Sequence, residues 1–174
     1  MDVFEAIYGR RSVRDFDPQQ EVSPEVIEKI LQATCQAPSA GNIQPWRFWV
    51  VKDEELKSKL AQAAYGQFFV AEAPVVIVVC ADLEASARRY GVRGRGLYAL
   101  QDTAAAIQNL LLAAYAEGLG TCWVGAFDEQ AASQSLKLPG GIRPVAIIPV
   151  GYPTFPSRKP SRRHYLEVTK FIKE

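Results

Sequence analysis

Six consecutive apolar residues, Val75-Val76-Ile77-Val78-Val79-Cys80, follow Pro74 and leave this chain few ways to fold. Five of the six are β-branched, which favours a strand, and none is polar enough to be turned toward water. Such a strand lies in the middle of a sheet with both faces covered. The fold must therefore place layers above and below it. A chain of 174 residues can do this as one domain, 1–174, with a substantial core. Its 48% hydrophobic and 22% charged content is that of a globular protein, and no repeat, interdomain linker or low-complexity stretch divides it.

A second constraint comes from the helix expected over about 97–117. Leu97, Leu100, Ala104, Ile107, Leu111 and Ala114 form one apolar face, and Ala99, Ala106, Leu110 and Ala113 make the other faces apolar too. Its only formal charges are Asp102 and Glu117. A helix of this kind is buried in a large core or in a membrane. Gln101, Asp102, Gln108 and Asn109 interrupt the run and argue against a membrane. A domain this small rarely surrounds such a helix alone, so a subunit interface is expected to complete its cover. The tail over about 154–174 points the same way. It carries Arg158, Lys159, Arg162, Arg163 and His164 among prolines, then Leu166, Val168, Phe171 and Ile172 as a weak terminal helix. It cannot bury itself locally and is expected to pack on the partner subunit.

The other elements announce themselves by their ends. Asp2 caps a helix over 2–9 whose stripe is Val3, Phe4, Ile7 and Tyr8. Ser23 and Pro24 open a second helix that runs to Gln36. A strand follows at 46–52, and Asp53 caps a helix over 54–64. Residues 82–96 are charged and contain glycine, and they read as an exposed, mobile segment with Arg88, Arg89, Arg93 and Arg95 near its end. A strand is expected at 121–127, a helix from Asp128 to about 137, and a last strand at 144–150.

Several chemistries drop out early. A net charge of +1 gives no broad field for nucleic acid or a membrane surface. The three cysteines, Cys35, Cys80 and Cys122, form no CxxC and no disulfide framework, which favours a reducing, cytoplasmic setting. The start, Met1-Asp2-Val3-Phe4-Glu5, is acidic and lacks the long apolar run of a secretory signal. One histidine, His164, rules out a multi-histidine metal site and has no nucleophile near it for a triad. No phosphate-binding P-loop, nucleophile elbow or full GxGxxG occurs.

What remains is neutral loops and arginines. Ala37-Pro38-Ser39-Ala40-Gly41-Asn42-Ile43-Gln44-Pro45-Trp46 is bracketed by prolines and carries one hydroxyl and two amides. It is either a helix-to-strand connection or a stiff pocket wall for a flat, uncharged ligand. Arg10-Arg11-Ser12-Val13-Arg14 is either a solvated cluster or an anion clamp, since guanidinium forks match phosphate oxygens. Were it to meet the tail arginines, the two would hold one compact dianion. The loops at 39–44, 67 and 123–126 would then hold a planar ring.

Taken in order, these stretches resemble the nitroreductase family. The matching residues are Arg10–Arg14, Pro38–Trp46, Asp102-Thr103-Ala104-Ala105-Ala106-Ile107-Gln108-Asn109-Leu110, Gly118-Leu119-Gly120-Thr121-Cys122-Trp123-Val124-Gly125-Ala126-Phe127, and Pro149-Val150-Gly151-Tyr152-Pro153. The resemblance covers nearly the whole chain and is closest to the compact branch. It implies an α+β sandwich, a central mixed β-sheet flanked by helices, in an intertwined homodimer with flavin mononucleotide (FMN) at the interface. By the same resemblance Arg10, Arg11, Ser12 and Arg14 contact the phosphate, ribityl chain and pyrimidine edge. Ser39 and Asn42 line the ring, partly from the partner subunit, and Gln67 bonds the pyrimidine edge. The backbone at Val124, Gly125 and Ala126 approaches the reactive nitrogen, and Arg162 or Arg163 closes on the phosphate. The implied activity is that of an NAD(P)H oxidoreductase. NADH or NADPH reduces the flavin, which then reduces a nitroaromatic, a quinone or a similar small-molecule acceptor in ping-pong order, with no protein acid or base required. Dehalogenation, azoline oxidation or flavin fragmentation on the same scaffold, or flavin binding without turnover, are the alternatives; the segment 82–96 would then cover the substrate, its arginines being either a solvated face or a hint of an anionic substrate or NADPH.

Overall fold

The protein was analysed as a computed structural model that describes residues 1–155 and 158–172. The run at Val75 lies in β2 (Val75–Asp82), buried along almost its whole length. It is flanked by β1 (Trp46–Val51) on one side and β4 (Ile142–Gly151) on the other, and β4 carries the short β3 (Gly120–Thr121) beyond it. The sheet order is β1-β2-β4-β3, and each of these pairings is antiparallel. This corrects the expected mixed sheet. The one parallel contact among the described residues is an isolated bridge from Ser12 to Thr121, outside the four strands.

Strand alternation divides the core into two layers. Val76, Val78 and Cys80 face a layer with Leu60, Ala61, Val70, Ala132 and Leu136, supplied by α3 (Glu54–Ala63), α4 (Phe69–Glu72) and α7 (Glu129–Leu136). Val75, Ile77 and Val79 face the opposite layer with Ile27, Ile30, Ile107, Leu110 and Leu111, from α2 (Pro24–Thr34) and α6 (Ala99–Ala116). Every one of these strand residues is at most 1% exposed. Both faces of β2 are thus covered, as the run of six requires.

The helix starts follow their caps. Asp2 accepts the Phe4 N–H while Glu5 reaches back to the Asp2 N–H, which fixes the first turn of α1 (Val3–Gly9). Ser23, Asp53 and Asp128 cap α2, α3 and α7, each side-chain oxygen accepting a backbone N–H of the first turn. Four stretches differ from expectation. The stripe of α1 is not buried in its own chain, for only Ala6 is covered while Val3, Phe4, Ile7 and Tyr8 are exposed. The strand expected at 121–127 is reduced to β3 and a bridge between Val124 and Ile147. The terminal helix is a single 3-10 turn at Tyr165–Glu167.

The largest difference is at 82–96. In place of an irregular segment, this stretch forms α5 (Leu83–Arg93) and a π-helical turn (Gly94–Tyr98) that runs into α6. Asp82 starts α5 by accepting the Ala85 N–H at 2.9 Å. Gly91, at φ 56° and ψ −139°, breaks the helix in a conformation open to glycine. Among the described residues no helix is long and apolar enough to cross a membrane.

Candidate functional site

One part of the site is built on the β3 edge. Arg10–Arg14 leave α1 extended and run beside β3, held by the Val13 N–H donating to the Thr121 carbonyl at 2.9 Å. Val13 turns inward onto Phe16 and Ala73. Gly120 makes this approach possible, because a Cβ there would stand 2.7 Å from the Val13 side chain. Arg10 and Arg11 line a cavity of about 260 Å³ together with Tyr115, Gly120, Thr121 and Pro153. Arg14 stands over the Phe69 ring at 5.8 Å. Among the described residues no carboxylate pairs with Arg10 or Arg14.

Cys122 registers how close this segment lies. Burial pushes its thiol pKa up, and Arg14, the Ser12 hydroxyl and Arg10 pull it partly back. Cys80, buried in β2, has only burial acting on it and is pushed up to about 12. Neither is a thiolate nucleophile near neutral pH.

The chain just past β3 belongs to the same place. Val124 exchanges two backbone hydrogen bonds with Ile147, each 3.0 Å, and is buried. Gly125 and Ala126 then emerge exposed. A Cβ on Gly125 would meet nothing nearer than Trp123 Nε1 at 3.8 Å, so its backbone is open to approach. Gln67 secures this bend, donating from Nε2 to the carbonyls of Ala64 at 3.0 Å and Ala126 at 3.2 Å. The structure thus places Gln67 beside Ala126, with its Nε2 engaged by backbone carbonyls.

The Ser39–Gln44 loop is the other part. Ser39 Oγ accepts the Gln44 N–H at 3.0 Å, and Gln44 Nε2 donates to Asn42 Oδ1 at 3.1 Å. Gly41, Asn42 and Gln44 all have φ between 54° and 56°. Left-handed backbone at two non-glycine residues costs free energy and persists only where the surroundings impose it. Two contacts do so. Asp102 Oδ1, from the start of α6, accepts the Ala40 N–H at 3.0 Å. Arg89 of α5 donates to the Gly41 carbonyl at 3.1 Å, with the Tyr90 hydroxyl packed against the same glycine. Asp102 is 6% exposed, and its Oδ2 is buried with no hydrogen-bond partner. Burial raises its carboxyl pKa, and the Ala40 N–H opposes that rise.

These two parts do not meet within one chain. The arginine segment follows β3, whereas the Ser39 loop leads into β1 at the other edge of the sheet. Three strand spacings of roughly 4.8 Å put the two edges about 14 Å apart. The tail arginines Arg162 and Arg163 are exposed, and Arg162 Nη1 touches its neighbour's carbonyl at Ser161. Sequence reasoning assigned no role to Asp102, although a lone charge in an apolar helix was a signal. The contact of Arg89 with Gly41 carried no local signal, because it spans 48 residues of chain.

A helix-flanked sheet with an arginine-lined edge and an amide-rich loop on the opposite edge has close counterparts. A sequence model described as the nitroreductase family matches residues 7–72 and 63–152. A protein of Archaeoglobus fulgidus, provisionally named an NADH dehydrogenase/NAD(P)H nitroreductase, is 40% identical over 152 residues, covering 84% of this chain and 83% of that one. One from Methanothermobacter thermautotrophicus with the same provisional name is 37% identical over 157 residues, 88% and 78% of the two chains. The crystal structure of another so named, from Parabacteroides distasonis, superposes with a TM-score of 0.85 at 31% identity over 97% of this chain and 96% of that one. The chain belongs to the nitroreductase family.

Proposed function

We propose that this chain is an FMN-dependent NAD(P)H oxidoreductase of the nitroreductase type, working as a homodimer that joins the β3 edge of one copy to the Ser39 loop of another. The observation that carries the reading is the β3 edge. Arg10 and Arg14 stand there without a carboxylate partner among the described residues, next to an open backbone at Gly125 and Ala126. Cations held unneutralised on a chain of net charge +1 suit an anionic ligand. Exposed backbone beyond them suits the flat edge of a ring.

The residues fit FMN in kind. Arg10, Arg11, Ser12 and Arg14 offer charged and hydroxyl donors to its phosphate, ribityl chain and pyrimidine edge. Gln67 fixes the bend that carries Gly125 and Ala126, and Val124 anchors that bend to β4. Ser39 and Asn42 of a second copy supply the opposite wall, already stiffened by their internal hydrogen bonds. Arg162 or Arg163 of the tail closes on the phosphate. When bound, FMN supplies the redox chemistry, accepting a hydride from NADH or NADPH and passing electrons to a nitroaromatic or quinone in ping-pong order. The protein's part is placement and charge: a cation fixed over Phe69 favours negative charge developing near it.

Two measurements test this. Chromatography of the ligand released by heat should recover FMN; recovery of mainly the adenine dinucleotide would count against it. Anaerobic NADH or NADPH should then bleach the flavin absorbance, and a quinone or nitroaromatic should restore it. A flavin that neither nucleotide bleaches would overturn the assigned reaction.

A further inference from the structure

The arginines of α5 and the π-helical turn are organised in a way a solvated surface does not need. Arg93 lies over the Tyr98 ring at 5.3 Å and donates from Nε to the Tyr98 hydroxyl at 2.8 Å. Arg89 lies over the Tyr90 ring at 5.5 Å while donating from Nη1 to the Gly41 carbonyl. The two tyrosine rings meet edge to face, 5.2 Å apart. Arg95 is neutralised by Glu84 at 2.5 Å, whereas Arg89 and Arg93 pair with no carboxylate among the described residues. Stacking and hydrogen bonding fix both side chains before any ligand arrives, so little rotamer entropy is lost on binding. Each guanidinium keeps N–H groups free of these contacts, as Nε alone engages the Tyr98 hydroxyl and Nη1 alone the Gly41 carbonyl. The pair borders the Ser39–Gln44 loop through Arg89, on a π-helical turn of the kind found often at functional sites.

We propose that Arg89 and Arg93 form a phosphate-monoester subsite at the rim of the Ser39–Gln44 wall, which receives the 2′-phosphate of NADPH and makes NADPH the preferred reductant. This rests on the reading above that a nicotinamide cofactor is the electron donor. The 2′-phosphate is the one group that separates NADPH from NADH, and a dianion is what two preorganised, unneutralised guanidinium groups hold best. Arg93 is the informative position, because Arg89 also supports the backbone of Gly41.

The test uses protein loaded with FMN. Calorimetric titration with adenosine 2′,5′-bisphosphate and with 5′-AMP, at one salt concentration, should show the bisphosphate binding at least about tenfold tighter, the worth of one charge-assisted contact. Arg93→Gln should remove most of that advantage, Arg93→Lys should keep part of it, and Arg95→Gln should leave it in place. Equal affinity for the two nucleotides, or a preference that survives both Arg93→Gln and Arg89→Gln, overturns the subsite. Anaerobic flavin reduction separates this inference from the function it rests on. Equal kcat/KM for NADH and NADPH sinks the subsite and leaves the oxidoreductase reading standing. Failure of both to reduce the flavin sinks that reading, and the nucleotide titration still decides the anion site. Should Arg93→Gln raise KM for 4-nitrobenzoate but not for NADPH, the arginines serve the acceptor and the assignment to the reductant is wrong.

Discussion

Asp102 shows how one side chain can set the shape of a distant loop. Its Oδ1 caps Ala40 from 62 residues away, and its Oδ2 has no partner in a buried position. Burial raises the carboxyl pKa above its ordinary 3.8, so between 3.8 and the higher folded-state value the folded protein binds a proton that the unfolded chain releases. Stability from this group is therefore present at low pH and is lost as pH rises from 3.8 through the folded-state value. Asp102→Asn keeps an acceptor for Ala40 and abolishes the titration. Thermal melts of both proteins across that range should show wild type losing ground to the variant as pH rises; parallel profiles would show that the buried carboxyl is not titrating. Asp102→Ala instead leaves the Ala40 N–H unsatisfied, and should cost about 1–3 kcal/mol in a denaturant titration.

At the scale of the element, the arginine segment depends on β3. It has no helix or named strand of its own, and the Ser12–Thr121 bridge, with the Val13 N–H on the Thr121 carbonyl, and the missing side chain of Gly120 set its course beside β3. Gly120→Ala drives a methyl group into Val13. Overpacking of this kind costs about 1–3 kcal/mol. Because the displaced segment carries Arg10, Arg11 and Arg14, FMN affinity should fall together with stability, read by urea unfolding and by fluorescence titration of the apoprotein. Loss of stability with unchanged flavin affinity would show that the segment's path does not matter to the ligand. The elements also differ in how legible they were. The caps at Asp2, Ser23, Asp53 and Asp128 act within three residues, and they placed four helix starts correctly. At 82–96 the arginines and Gly91 hid a helix whose support comes from the Asp82 cap and from packing of Gly94 against the Ser86 backbone.

Taken whole, the chain leaves much apolar surface uncovered. Phe4 and Tyr8 on α1 are 58% and 66% exposed, and Tyr165, Leu166, Val168, Phe171 and Ile172 in the tail are all exposed. Scattered apolar residues are ordinary on a surface, but a whole helix stripe and a whole tail are not. A second copy would cover them and bring a Ser39 loop to each β3 edge. Light scattering at low micromolar concentration should report twice the 19.2 kDa chain mass. Removal of residues 154–174 should shift the protein toward monomer and loosen its flavin in the same step. A stable, flavin-loaded monomer would overturn the shared site.

The sequence by itself determined what acts over short range. The six-residue apolar run demanded a covered strand, and β2 is that strand, because solvation of each side chain is a local property of the residue. The motifs at 10–14, 38–46 and 118–127 marked the residues of the candidate site for the same reason: their chemistry is carried by the residues themselves. Tertiary structure alone decided where those residues lie. It set all four strands antiparallel, sent the arginine segment to the β3 edge and the Ser39 loop to the β1 edge, left the α1 stripe outside, and laid Arg89 on Gly41. Each of these is a contact between stretches far apart in the chain. Such contacts depend on which partner surface wins a competition among many, and a single linear pattern does not encode the outcome of that competition.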